Sequence, residues 1–172
     1  IDAVNIDLKC FSQSYYKSNL GGNLNQVLQN LKHFKKNDIW LEITTLLVPG
    51  KNDSKDELEK IAKFIKEELD EFTPWHISSF HPDYKDMHIP HTSMDSLQMA
   101  YKIGKEAGLK YVYIGNTSLQ NDTHCPNCNH TVLKRNRFEV IENNIKNGKC
   151  PICNYKIQGV YPKMKTIRKT GF

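Results

Sequence analysis

Four short apolar runs, at residues 4–8, 39–48, 75–80 and 111–114, recur through the first 116 of the 172 residues, with amphipathic stretches between them. Each run is rich in β-branched or aromatic residues, which suits a strand. Strands alternating with helical patterns are the mark of βα units feeding a parallel sheet. The first helical stretch places Leu24, Val27, Leu28, Leu31 and Phe34 on one face, while Lys32, Lys35 and Lys36 point elsewhere or load its C-terminus. The second opens with Ser54 three residues before Glu57, a capping box, and repeats Leu58, Ile61, Ile65 and Leu69 at helical spacing. The third starts near Thr92 or Ser93, carries Leu97, Ala100, Tyr101 and Ala107, and stops at Gly108. No internal repeat or low-complexity run accompanies this alternation.

At 38% apolar and 25% charged the chain can bury a core, which excludes disorder throughout. No window reaches the roughly 18 uninterrupted apolar residues of a membrane span, and no secretory leader is present, so a cytoplasmic protein without a membrane partner is expected. The chain opens at Ile1 and enters a strand at once, so a piece of something longer is expected. Charge and cysteine both divide it. Residues 1–116 carry a net −2 and one cysteine, Cys10, whereas residues 117–172 carry +7 and four cysteines in two Cys-x-x-Cys pairs. Two bodies with different partners follow from that asymmetry.

Cys125-Pro126-Asn127-Cys128 and Cys150-Pro151-Ile152-Cys153 stand with 21 residues between Cys128 and Cys150. Two such knuckles can offer four thiolates to a tetrahedral zinc ion, with residues 131–136 and 138–145 forming the short strands of a zinc ribbon. Asn129 and Asn154, each just after a pair, suit the tight turn of a knuckle. A redox dithiol and an iron–sulfur site are the competing readings, and His124 and His130 are read as bystanders. Lys163, Lys165, Arg168 and Lys169 form a basic tail that should be mobile and solvated. Charge alone supports only non-specific nucleic-acid binding, and without a clear aromatic stacking array nucleic acid is not an expected partner.

In parallel β/α folds ligands bind at the carboxyl ends of the strands. Those positions carry Asp7-Leu8-Lys9, Pro49-Gly50-Lys51-Asn52-Asp53, His81-Pro82-Asp83-Tyr84 and Gly115-Asn116. Asp7 and Lys9, two apart on a strand, share a face, where they can neutralise each other or grip a zwitterion. Thr44 and Thr45 need partners if buried, and neighbouring backbone is the simple one. His76, His81, His88 and His91 are spaced by 5, 7 and 3, which matches no single helical face and argues against a histidine metal site. His81 differs from the others in standing just past a strand end.

These segments resemble a known family. Asp2-Ala3-Val4-Asn5-Ile6-Asp7-Leu8-Lys9, then residues 42–50 with Asn52-Asp53, residues 74–84 and residues 108–116, followed by the paired Cys-x-x-Cys, are similar to the second half of the radical S-adenosylmethionine enzymes of the AmmeMemoRadiSam system. Those enzymes are in turn similar to the activating enzyme of pyruvate formate-lyase. The likeness covers nearly the whole chain except the last dozen residues. It implies an α/β fold, the C-terminal half of a partial parallel β/α barrel, with S-adenosylmethionine held across the strand ends beside a [4Fe-4S] cluster. It also implies that Asp7, Lys9 and His81 bind that cofactor: a carboxylate can accept from ribose hydroxyls, an ammonium can pair with the methionyl carboxylate, and an imidazole can hydrogen-bond near the sulfonium.

One departure limits what the chain can do alone. The family's Cys-x-x-x-Cys-x-x-Cys loop is absent, and Cys10 follows the Asp-x-Lys motif and cannot replace it. Four strands would also leave residues 4–8 as an exposed edge. The expected organisation is therefore a half barrel at 1–117, a four-cysteine zinc ribbon at 118–160 and the tail at 161–172. The expected function is that of a fragment of a radical S-adenosylmethionine enzyme. With its missing loop it would generate a 5′-deoxyadenosyl radical for hydrogen abstraction from an unidentified substrate, a protein among the candidates, using an electron donor for the cluster. The alternative is a non-catalytic zinc-ribbon module on a degenerate half-barrel scaffold, binding nucleic acid or a protein partner.

Overall fold

The computed structural model describes residues 1–119, 121–137 and 139–161; the basic tail residues Lys163, Lys165, Arg168 and Lys169 lie outside them. Four parallel strands, β1 (Ala3–Asp7), β2 (Trp40–Leu47), β3 (Trp75–Ser79) and β4 (Val112–Gly115), form one sheet in chain order. The connections are helical: α1 (Gln13–Asn19), α2 (Leu24–Lys36), α3 (Lys55–Phe64) and α4 (Met94–Glu106). Parallel neighbours need such crossovers because a tight turn cannot return the chain to the same edge. The result is a partial β/α fold, as the alternation predicts.

Helix α1 is one more than the sequence reading contains. It is capped by Ser12, whose Oγ accepts the Tyr15 N–H at 3.2 Å, and it buries only Tyr16, so it carries no periodic apolar face to detect. Helix α3 begins as expected, with Ser54 Oγ accepting the Glu57 N–H at 3.3 Å. The reciprocal half of the expected box is diverted, because the Glu57 carboxylate accepts the Phe11 N–H and so ties the loop after β1 to α3. Helix α3 then widens into a π-helical turn, Ile65–Leu69. Helix α4 starts after its Ser93 cap and ends before Gly108, whose φ of 95° is the left-handed geometry a glycine terminator supplies.

The helices pack on one face of the sheet. Leu41, Ile43 and Leu47 of β2, Trp75 and Ile77 of β3, and Val112 and Ile114 of β4 meet Leu31, Leu58, Ile61, Leu97 and Ala100 there. Gly104 lets α4 come close, since a Cβ at that position would lie 3.0 Å from both the Trp75 ring and Val112. Buried polar groups join the strands within this core: Trp75 Nε1 donates to Thr45 Oγ1 at 3.0 Å, and Thr45 Oγ1 donates to the Leu8 carbonyl at 2.9 Å. Thr45 thus takes the backbone partner expected of it, whereas Thr44 donates to the Asn5 side chain at 2.8 Å.

The opposite face is polar and only half covered. Strand β2 alternates Trp40, Glu42, Thr44 and Leu46, half-buried, with its fully buried residues, and β3 and β4 do the same with His76, Ser78, Tyr113 and Gly115. A parallel sheet packed on both faces is usually apolar on both. Strand β1 is the edge, with Ala3, Asn5 and Asp7 exposed.

A second, antiparallel sheet of β5 (Thr123–His124), β6 (Thr131–Asn136) and β7 (Glu139–Asn143) follows. Its core is small: Cys125, Val132, Cys150 and Ile157 are buried, with Ile145, Cys153 and Tyr155 packed against them. It meets the polar face of the first sheet. The Tyr113 hydroxyl lies 2.9 Å from Thr123 Oγ1, the Ile114 N–H donates to Asn121 Oδ1 at 2.9 Å, and the Arg135 guanidinium sits 5.5 Å from the centre of the Tyr113 ring. No helix among the described residues is long and apolar enough to cross a membrane.

Candidate functional sites at the strand ends and in the cysteine cluster

Asp7 closes β1 and Lys9 follows two residues on, so both side chains leave the same side of the sheet. They form an ion pair at 2.5 Å with 48% and 36% of their side chains exposed, the neutralising arrangement of the two the sequence allows. The backbone of Lys9 is fixed on both sides. Its N–H donates to the Tyr16 hydroxyl at 3.1 Å, and its carbonyl accepts from Asn52 Nδ2 at 2.5 Å. Buried Asn52 also donates to the Leu46 carbonyl at 2.8 Å and accepts the Val48 N–H at 2.7 Å. That amide therefore straps the end of β1 to the end of β2. The sequence marked the segment around Asn52 as a strand-end loop without revealing this role.

His81 is exposed two residues past β3, and its Nδ1 lies 3.0 Å from Nδ1 of His91. The segment beneath is held by buried Thr92, whose Oγ1 accepts the Phe80 N–H at 2.7 Å and donates to the Leu47 carbonyl at 2.5 Å. Because the strands are parallel, Asp7, Lys9 and His81 all stand at one edge of the sheet, with β2 between β1 and β3. Lys9 lines a cleft of about 360 Å³ there with Tyr15, Asn52, Phe80, Asp86 and His88; Asp7 and His81 are not among its walls. The histidines do not gather: His81 pairs with His91, while His76 turns to Glu42.

The polar face of the sheet holds a constellation the sequence reading passed over. Register aligns Asp7, Thr44, His76 and Tyr113 as one row across the four strands. His76 Nε2 lies 2.8 Å from a Glu42 carboxylate oxygen and its ring stacks on Tyr113 at 5.2 Å. The hydrogen bond with His76 holds the Glu42 carboxyl below its ordinary range, against the opposing effect of burial, and Trp40 Nε1 adds a second bond at 3.0 Å. Burial pushes the Tyr113 phenol up. The signal was available: Glu42, Thr44, His76 and Tyr113 alternate with apolar neighbours, which marks a face without helical cover.

The second site is the cysteine cluster. The two knuckles have the same backbone geometry. Asn129 and Asn154 both stand at φ of 60°, their N–H groups donate back to the Cys125 and Cys150 carbonyls at 2.9 and 3.0 Å, and the Cys125 and Cys150 N–H groups donate to the His130 and Tyr155 carbonyls at 2.8 and 2.9 Å. The turn expected at each asparagine is present. All four Sγ atoms lie within 4.8 Å of one another, with Cys125 to Cys153 at 3.6 Å and Cys128 to Cys150 at 3.7 Å. Among the described residues this is the one group of three or more side chains placed to hold a metal ion. Without a cation the thiols separate in acidity. Hydrogen bonds from the Asn127 side chain and the Tyr155 backbone draw Cys153 down to about 6. The His130 backbone also stabilises the Cys128 thiolate, but burial and the three neighbouring sulfurs push Cys128 up to about 12. Four thiolates this close repel unless a positive ion sits among them. Cys10 lies apart, buried, its Sγ donating to the Ser12 carbonyl at 3.6 Å, and burial raises its thiol further.

No protein-family model matches the chain. It is 42% identical over 161 residues to an uncharacterized protein of Methanocaldococcus jannaschii, a match covering 91% of this chain and 48% of that protein; the chain thus spans about half the length of this curated relative. Its fold is similar to the crystal structure of a domain of pyruvate-formate lyase-activating enzyme from Bacteroides vulgatus, with a TM-score of 0.59 and 19% sequence identity over 67% of this chain and 68% of the other.

Proposed function

We propose that the chain is the C-terminal portion of a radical S-adenosylmethionine enzyme of the activating-enzyme kind, in which Asp7, Lys9 and His81 contribute to the cofactor site. One observation carries the reading: Asp7-Leu8-Lys9 and His81 stand at the carboxyl edge of a four-stranded parallel sheet whose fold is shared with an activating-enzyme domain. Lys9 would pair with the methionyl carboxylate, Asp7 would accept from ribose hydroxyls and His81 would hydrogen-bond beside them. The Asp7–Lys9 pair would have to open, which is inexpensive for a pair this exposed, since such pairs contribute about 0–1 kcal/mol. Bound S-adenosylmethionine supplies the radical chemistry; the residues here bind and orient it.

The residues of this chain do not fit the [4Fe-4S] cluster. Cys10 is solitary, buried and occupied with Ser12, and the four remaining cysteines surround a single point in the other sheet. The cluster ligands are therefore assigned to residues beyond these 172, in line with a relative about twice as long.

The four-cysteine group we assign to structural zinc, in a ribbon at about 118–160. A zinc ion about 2.3 Å from four tetrahedrally placed sulfurs spaces them about 3.8 Å apart, close to the separations found here. A cubane, whose irons each take one thiolate, needs its ligands farther apart. Elemental analysis should return about one zinc per chain.

The cofactor assignment is tested in the intact protein. Lys9→Ala should weaken S-adenosylmethionine binding roughly tenfold to a hundredfold, the loss of one charged hydrogen bond of about 1.5–3 kcal/mol, with the melting temperature unchanged. Unaltered affinity in that variant would overturn it.

A further inference from the structure

Where the second sheet meets the polar face of the first, a cavity of about 170 Å³ is walled by His76, Asn116, Thr117, Asn121, Arg135 and Arg137, with the Tyr113 ring as part of its floor. It reaches from His76, near the start of β3, to Gly115 and Asn116 at the carboxyl end of β4, the kind of edge at which ligands of parallel sheets bind. Its chemistry is one-sided. Arg135 and Arg137 are its charged residues, no carboxylate among the described residues lines it, and the Asn121 amide is spent at both ends on the Ile114 backbone. The nearest acids are engaged elsewhere: Glu42 with His76 and Trp40, and Asp122 with the Arg135 backbone N–H at 2.9 Å. Among the described residues neither Arg135 nor Arg137 enters an ion pair.

Arg135 is held in place, while Arg137 is exposed at the cavity's wall. Arg135 spends Nη1 on the Asn121 carbonyl at 2.9 Å and Thr123 Oγ1 at 2.7 Å and lies over Tyr113, which leaves the rest of its donor fork free to bond a ligand. Arg137 follows in the two-residue turn between β6 and β7, where its φ of 54° is the left-handed geometry such a hairpin turn takes. Guanidinium groups without a carboxylate partner, at the wall of a small cavity, recognise planar or tetrahedral oxyanions by paired hydrogen bonds.

We infer that this cavity binds the oxyanion group, phosphate or carboxylate, of a small-molecule substrate, and that the cysteine-bearing sheet contributes Arg135 and Arg137 to a site on the barrel face. The inference names a substrate class for the enzyme proposed above and rests on that reading only for the word substrate; the binding itself is independent of S-adenosylmethionine. The volume admits a phosphate or a small carboxylate but not a polymer.

The experiment is titration of the zinc-loaded 172-residue chain with inorganic phosphate and, separately, with acetate, at fixed ionic strength, followed by NMR shifts of the Tyr113 and His76 rings. Saturable shifts with either anion are expected, and the stronger of the two identifies the headgroup. Arg137→Gln, at an exposed position that makes no side-chain hydrogen bond among the described residues, should weaken the binding about tenfold. Arg135→Lys, which keeps the charge but not the planar fork, should weaken it also. Lys36→Gln, on the exposed end of helix α2 and in neither cleft, should leave it unchanged. Absence of saturable shifts with both anions, or equal affinity in wild type and Arg137→Gln, overturns the inference. Failure of the intact protein to bind S-adenosylmethionine would leave these titrations untouched.

Discussion

The parallel sheet and the cysteine-bearing sheet are held together by different means. The first buries a continuous apolar core from Leu8 to Ile114, including the whole of Trp75, Leu58, Ile61 and Leu97, and can draw on some 25 cal/mol for each Å² removed from water. The second has a core of four buried apolar residues among those described, two of them cysteines, and a strand, β7, exposed at every position. So small a core leaves most of its folding free energy, on the zinc assignment, to come from the ion held among its sulfurs. On the zinc assignment, one chain carries a body stabilised by solvent exclusion and another stabilised by coordination, joined where Tyr113 meets Thr123 and Arg135.

Removing the metal should break that comparison most visibly. Coordination of structural zinc contributes on the order of 10 kcal/mol in ribbons and fingers. Exhaustive chelation, or Cys128→Ser with Cys153→Ser, should therefore abolish the amide protection of β5 to β7 and leave that of β2 and β3 intact. Trp75 is fully buried in the core of the first sheet, so its fluorescence, followed in a Trp40→Phe background, should hold steady while the second sheet melts. Persistence of the ribbon after complete metal loss would mean that its small core suffices.

The reverse break is Trp75→Ala. This side chain is fully buried and joins β3 to Thr45, so its removal empties a large volume and takes away the bond the Thr45 hydroxyl accepts, leaving the one it donates to Leu8. A loss of about 3–5 kcal/mol is expected in urea unfolding followed by Trp40, with metal content still one per chain. A milder version is Gly104→Ala. Alanine favours a helix by about 1 kcal/mol, but the new Cβ would press at 3.0 Å on a fully buried ring and on Val112, neither able to retreat. The net expectation is a loss of about 1–2 kcal/mol; a stabilised variant would show the α4 contact to be looser than the geometry indicates.

The two regions also differ in how they could be read. The strands of the first sheet fell within a residue or two of their expected bounds because periodicity and β-branched content act locally. Ser54, Ser93 and Gly108 marked helix ends because capping is local too. Helix α1 escaped because it buries one residue, and the Glu57 bond to Phe11 escaped because no spacing rule links positions 46 apart. In the cysteine-bearing sheet, Cys-x-x-Cys followed by asparagine marked the two tight turns, because a left-handed asparagine after the pair is a local signal. What neither pattern disclosed was the joint. That Glu42, His76, Tyr113 and Arg135 assemble depends on how one sheet lies on the other, and their alternation along each strand signals only an uncovered face.

The smallest expected effect concerns that joint. Glu42 is held below its ordinary range chiefly by its hydrogen bond with His76, so folding favours its ionised form. For a carboxyl depressed in the folded state the stabilisation is complete above the unfolded value, about 4.3 for glutamate, and fades as pH falls through the lower folded value. Over that window the unfolded chain binds more protons, so stability should fall with acid. Glu42→Gln keeps the shape and removes the titration. Because a third of the side chain is exposed, solvent screening should limit the difference at neutral pH to about 1 kcal/mol or less. Urea midpoints read by tryptophan fluorescence at pH 7 and pH 4 should therefore lie farther apart for the wild type than for the variant. Trp40 lies at the joint, so any change in the second sheet with pH enters both proteins alike and the comparison of wild type with variant isolates Glu42. Parallel profiles for the two proteins would place Glu42 outside the joint's energetics and leave Tyr113 and Arg135 to carry the contact.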